Sequence, residues 1–141
     1  MLRNELKSDI NALAGEMAFK SSVQYLQQFN VNKDFGFVSL AYMMAAHSLK
    51  NNLIANRTDL IDAIMDIMKG CLFHAYANDT WDKVFDEMVL SDIDKDYFAI
   101  LAIAANANKD LIVKIEQIRL CRICKTIPDE LLNELMQKYG G

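Results

Sequence analysis

Cys71-Leu-Phe-His74 and Cys121-Arg-Ile-Cys124 each place two soft ligands three residues apart. On a helix that spacing puts both side chains on one side, and together the four would form a Cys3His set suited to tetrahedral zinc. Cys71, however, also falls on an apolar stripe, where a free cysteine is an ordinary small core residue. Zinc pairs also favour knuckles over mid-helix positions. With three cysteines, an odd number, and no disulfide framework, the expectation is reduced structural thiols and no bound cofactor.

Other constellations are weaker. Asp92-Ile-Asp-Lys-Asp96 opens like a calcium-binding EF-hand loop, but Tyr97 and Ile103 stand where the turn glycine and the bidentate glutamate belong. The aspartates read instead as helix caps. His47 and His74 are the only histidines. A haem reading would use them as axial and distal residues, with Phe35 and Phe37 as clamps; metal or haem-like ligand binding by these sets is the alternative reading. No Walker sequence, G-x-G-x-x-G or G-x-S-x-G is present. The chain therefore reads as non-enzymatic.

The charge pattern carries more. Net charge is -4, which argues against non-specific nucleic-acid binding. Residues 58–96 hold ten Asp/Glu against three Lys, while the flanking segments are slightly basic. Asp59, Asp62 and Asp66 form one ridge at helical spacing, and Asp79, Asp82, Asp86 and Glu87 form a second. The two segments align at an offset of 20 residues, with Met68 and Met88 also matching, and the match does not recur. If both ridges face outward side by side, they make a negative surface fitted to a basic protein partner. Lys109, Lys114, Arg119, Arg122 and Lys125 make one later helix basic. That helix could bind nucleic acid, or meet the acidic face within the chain or in a homo-oligomer.

These residues must be positioned by helices. The chain has 141 residues, is 52% apolar and 24% charged, and holds five Gly and one Pro. That composition excludes disordered and collagen-like classes and suits a single domain over residues 1–141. The apolar period is 3.6 throughout. Leu6, Ile10, Leu13 and Met17 step along one face of a first helix, whose pattern then rotates through Val23, Leu26 and Phe29 before a break at residues 30–34. A second, apolar on most sides (Phe37, Val38, Leu40, Met43, Met44), spans about Phe35 to Ala55. A third, capped near Thr58, carries Ile61, Ile64, Met65, Met68, Cys71, Leu72 and Ala75, with Gly70 weakening its continuation. A fourth is expected from about Thr80 to Leu90, a fifth from Asp96 to Ala107 and a sixth from Asp110 to Lys125. A seventh is capped by Thr126 and packs through Leu131, Leu132, Leu135, Met136 and Tyr139.

The expected fold is thus a compact all-α bundle of six to seven helices with short loops. The longest apolar stretch, Tyr97 to Ala105, is too short to cross a membrane. No secretory signal is evident near Met1, which points to the cytoplasm. Lys outnumbers Arg 11 to 4, alongside 13 Ile and 11 Asn; this bias suits AT-rich coding, as in many phages. Together these features predict a small cytoplasmic regulator, inhibitor or adaptor that binds a basic protein through its acidic helical face.

Overall fold

The computed structural model describes residues 2–85, 102–104, 106 and 108–140, with side chains from Asp9 onward. The fold is all-α, with no strand among the described residues. Its helices are α1 (Leu2–Asn32), α2 (Phe35–Ile54), α3 (Ile61–Ala77), α4 (Trp81–Val84), α5 (Lys109–Cys124) and α6 (Asp129–Tyr139). The expected helix from Asp96 to Ala107 lies mostly outside the described residues, although 102–104 and 106 are helical. The expected run of α4 to Leu90 also falls outside them beyond Phe85.

α1 and α2 form an antiparallel hairpin. Lys33 turns the chain with a φ of 57°, and Asp34 caps α2 by accepting from the Gly36 N–H at 2.9 Å. At the far end the two backbones approach closely. The Ser48 hydroxyl donates to the Gly15 carbonyl at 2.6 Å. Asn52 donates through Nδ2 to the Ser48 carbonyl at 2.8 Å. A Cβ on Gly15 would stand 2.6 Å from Asn52 Nδ2. Glycine is therefore required here for space, and the crossing sets the helix-to-helix register.

That register decides which side of α1 is inside. The side toward α2 carries Gly15, Phe19, Ser22, Leu26 and Phe29, stepping by four and three, and all are buried or half-buried. The apolar row of Ile10, Leu13 and Met17 is not on the packed side, at 58%, 59% and 60% exposed, whereas Val23, Leu26 and Phe29, to which the pattern rotates, are half-buried or buried. At 100° per residue the two stripes lie about 180° apart. The small residues Gly15 and Ser22 let α2 approach more closely than the bulkier stripe would.

α2 is the central strut. Val38, Ala41, Tyr42, Ala45, Ala46, Ser48, Leu49, Asn52 and Leu53 are buried around most of its circumference. The Ser39 hydroxyl reaches across to the Val84 carbonyl of α4 at 2.6 Å. α3 packs on α2 and also receives α5 and α6. Each residue of its expected stripe, Ile61 through Ala75, is buried. The helix runs straight through Gly70, because the bare Cα there accepts the Tyr139 ring of α6; a Cβ would lie 2.8 Å from the phenolic oxygen.

The caps differ in detail from expectation. Leu60 precedes α3 without a side-chain cap, and Thr58 contributes only its carbonyl, to Ile61 N–H. Pro128, not Thr126, stands at the start of α6. Asn108 caps α5 by accepting from the Asp110 N–H at 2.9 Å.

Substituting Gly15 by Ala tests the hairpin crossing. Overpacking a closed contact costs about 1–3 kcal/mol, and the better helix propensity of Ala returns at most about 1 kcal/mol. Chemical denaturation should show a net loss of stability, and Asn52→Ala should relieve the clash in the double variant. Equal stability of wild type and Gly15→Ala would mean that the helices do not approach this closely.

Candidate functional site

The described acidic residues of the two ridges are spread along the length of α3 and past its end. Asp59 and Asp62 lie at the start of α3, and Asp79 and Asp82 follow its end. A helix of 17 residues separates those ends by about 25 Å. Asp66 lies between them along α3, and Asp86 and Glu87 lie outside the described residues. All five described aspartates are exposed.

Three of them face bases of the same chain. Arg57 donates to Asp59 through Nε at 3.2 Å and through Nη2 at 2.9 Å, and this guanidinium holds the Asp59 carboxyl below its usual range. Lys138 of α6 approaches Asp66 at 3.5 Å. Lys125, at the end of α5, binds Asp82 at 2.6 Å. Asp62 lines a small cleft with Lys114 and Asp110 of α5. The basic helix thus meets acids of its own chain. Exposed pairs of this kind contribute little stability each, but they disperse the negative field.

The basic residues of α5 do not make a common surface either. Arg122 is 4% exposed and its guanidinium stacks over the Tyr42 ring, 5.8 Å from the centroid. Arg119 is half-buried, while Lys109, Lys114 and Lys125 are exposed.

The proposed metal ligands sit apart in kind and place. Cys71 is fully buried between α2 and α3, its thiol donating toward the Val38 carbonyl at 3.6 Å. Burial pushes that thiol strongly up, away from the thiolate a metal needs. Cys121 is buried, and burial together with neighbouring Cys124 pushes its thiol up as well. Cys124 is exposed. Among the described residues, no three His, Cys, Asp or Glu side chains converge as metal ligands do.

His74 belongs to an aromatic cluster that joins three helices. Its ring lies 4.8 Å from Phe29 of α1, 5.8 Å from Tyr139 of α6 and 6.1 Å from Phe73. Burial first, then the Lys33 ammonium, depress its affinity for a proton. His47 is exposed on α2, so the two histidines do not occupy similar surroundings. The EF-hand-like aspartates from Asp92 to Asp96 lie outside the described residues.

What the sequence reading missed is an apolar groove of about 550 Å³ along the outer side of α5. Ile112, Val113, Leu120, Cys121, Cys124 and Pro128 supply its apolar lining. The inner face of α5 is already built from Leu111, Ile115 and Ile118. Val113 and Leu120 are 68% and 52% exposed. The signal was present in the sequence: α5 has more apolar residues than one stripe accommodates.

No family model, curated protein or solved structure matches the chain. Among the described residues, no helix is long and apolar enough to cross a membrane.

Two measurements check this description. A thiol-specific maleimide should label one cysteine per native chain, Cys124, and all three after denaturation; rapid labelling of Cys71 would contradict its burial. Secondly, His74 binds its proton less readily folded than unfolded. Its contribution to stability is therefore full above about pH 6.5, the ordinary histidine value. It declines as pH falls, because the unfolded chain takes up the proton first. The melting temperature should drop between pH 7 and pH 5, and His74→Phe should flatten that drop.

Proposed function

We propose that the protein acts by binding another protein, as a regulator, inhibitor or adaptor, and not by catalysis. The observation that carries this reading is the apolar groove on α5. A contiguous exposed apolar surface of this kind marks interaction sites. The groove follows the helix from Ile112 to Cys124, about 18 Å, a length suited to an amphipathic helix laid alongside.

Charge favours a basic partner. The charged residues of the groove's own lining, Lys114 and Glu116, balance each other, so the preference comes from the wider acidity of the chain. Asp59, Asp62, Asp66 and Asp79 add to the negative field of a chain whose net charge is -4. Such a field acts mainly on the association rate, whereas the apolar contacts hold the complex once formed.

Affinity capture from the native host's lysate, read by mass spectrometry, tests this reading with two variants. Leu120→Arg should abolish retention of the partner, weakening binding at least tenfold, since a central apolar anchor is worth 1.4 kcal/mol or more, roughly a factor of ten. Asp62→Lys combined with Asp82→Lys should leave the fold intact, because exposed substitutions usually change stability by within ~0.5 kcal/mol. It should slow association and flatten its salt dependence. Identical capture by wild type and Leu120→Arg would overturn the groove as the docking site.

A further inference from the structure

Cys121 and Cys124 occupy the last turn of α5, which ends at Cys124. Three helical steps place their Cα atoms about 5 Å apart, inside the range of about 4.4–6.8 Å that a disulfide spans. Both line the same apolar groove, and Cys124 is near enough that its charge bears on the Cys121 thiol. The two differ in access. Cys124 is exposed, whereas Cys121 is 3% exposed. Cys71 stands apart, fully buried between α2 and α3 with its thiol directed at the Val38 carbonyl.

We infer that Cys121 and Cys124 form a redox pair, an accessible attacking thiol beside a sheltered resolving one, which a small soluble disulfide such as oxidised glutathione converts to an intrahelical disulfide. The Cys124 thiolate attacks one sulfur of the reagent, the reagent's S–S bond breaks, and one thiol leaves. The mixed disulfide on Cys124 then stands beside Cys121. Cys121 gives its proton to solvent, attacks Cys124 Sγ and expels the second thiol, which takes up a proton. Two protein thiols are oxidised and one disulfide is reduced to two thiols. Burial disfavours the Cys121 thiolate, so the exposed partner reacts first.

The bond strains the helix at the place best able to yield. Cβ atoms three residues apart on a helix stand about 5–6 Å apart, against about 3.5–4.5 Å across a disulfide. The last turn must therefore tighten. Cys124 is the final helical residue and Lys125 already has left-handed backbone, with a φ of 53°, so no further turn of α5 has to follow. Thr126 and Pro128 line the same groove, and the movement reshapes its end. Oxidation thereby weakens docking, a consequence that rests on the groove being the partner site; the disulfide itself does not.

Mass spectrometry of wild type, held in glutathione buffer with the oxidised form in excess and then acid-quenched, tests the pair. The chain should lose two hydrogens and keep no adduct, with a peptide map joining Cys121 to Cys124. Native maleimide labelling should fall from one thiol to none, and labelling after denaturation from all three cysteines to Cys71 alone. Cys121→Ser should stop with one glutathione on Cys124. Leu120→Arg should form the same disulfide, so failure of the docking reading leaves this test intact. Wild type that stays reduced or stops at the mixed disulfide overturns the inference, as does a bond that includes Cys71 or joins two chains. Partner retention should fall several-fold on oxidation of wild type and stay unchanged for Cys124→Ser; equal retention by both redox forms of wild type overturns the effect on docking.

Discussion

The approach of α1 to α2 at Gly15 orients everything outside it. Ser48 reaches from α2 to the Gly15 carbonyl to hold that crossing and itself accepts from Asn52 one turn on, and both are fully buried. Polar groups removed from water are costly unless bonded, so the Ser48–Gly15 contact tolerates little sliding. Because α1 carries apolar residues on two opposite sides, fixing its rotation chooses which side is core and which is surface. A one-residue slip would turn the helix by about 100° and bring neither stripe fully inward. The exposed row from Ile10 to Met17 is therefore a direct consequence of a small-residue contact deeper in the molecule.

α3 has the opposite character. It is amphipathic with one apolar side, and its acids point to solvent along the other. Bases from elsewhere meet one of them and the acids on either side of the helix: Lys138 of α6 at Asp66, Arg57 of the preceding loop at Asp59 and Lys125 at the end of α5 at Asp82. The concentration of acid in the middle of the sequence is thus partly matched in three dimensions.

The fold class was legible because the 3.6-residue period persists through a chain almost free of Gly and Pro. α3 was legible residue by residue, since one face is strictly apolar. α1 was not. Its apolar pattern rotates from Ile10, Leu13 and Met17 to Val23, Leu26 and Phe29, and nothing local distinguishes the two stripes; the choice is made by the partner helix. Helix ends were obscured for a related reason. Lys33, Asn56, Asp79 and Lys125 adopt left-handed backbone where glycine is the usual signal. The α5 groove was hidden by reading that helix for its basic residues and not for its surplus of apolar ones.

The cluster of Phe29, His74 and Tyr139 ties the first helix to the last. Its contacts are far apart along the chain, as the reach of the Tyr139 hydroxyl to the Asp66 carbonyl, 73 residues away, illustrates. The Ser48–Gly15 contact spans 33. Closing a longer loop costs more chain entropy before any contact rewards it, and non-local contacts slow folding. The hairpin of α1 and α2 is complete in sequence long before Tyr139 leaves the ribosome. During synthesis, then, the notch at Gly70 stands empty until α6, which begins at Asp129, has emerged.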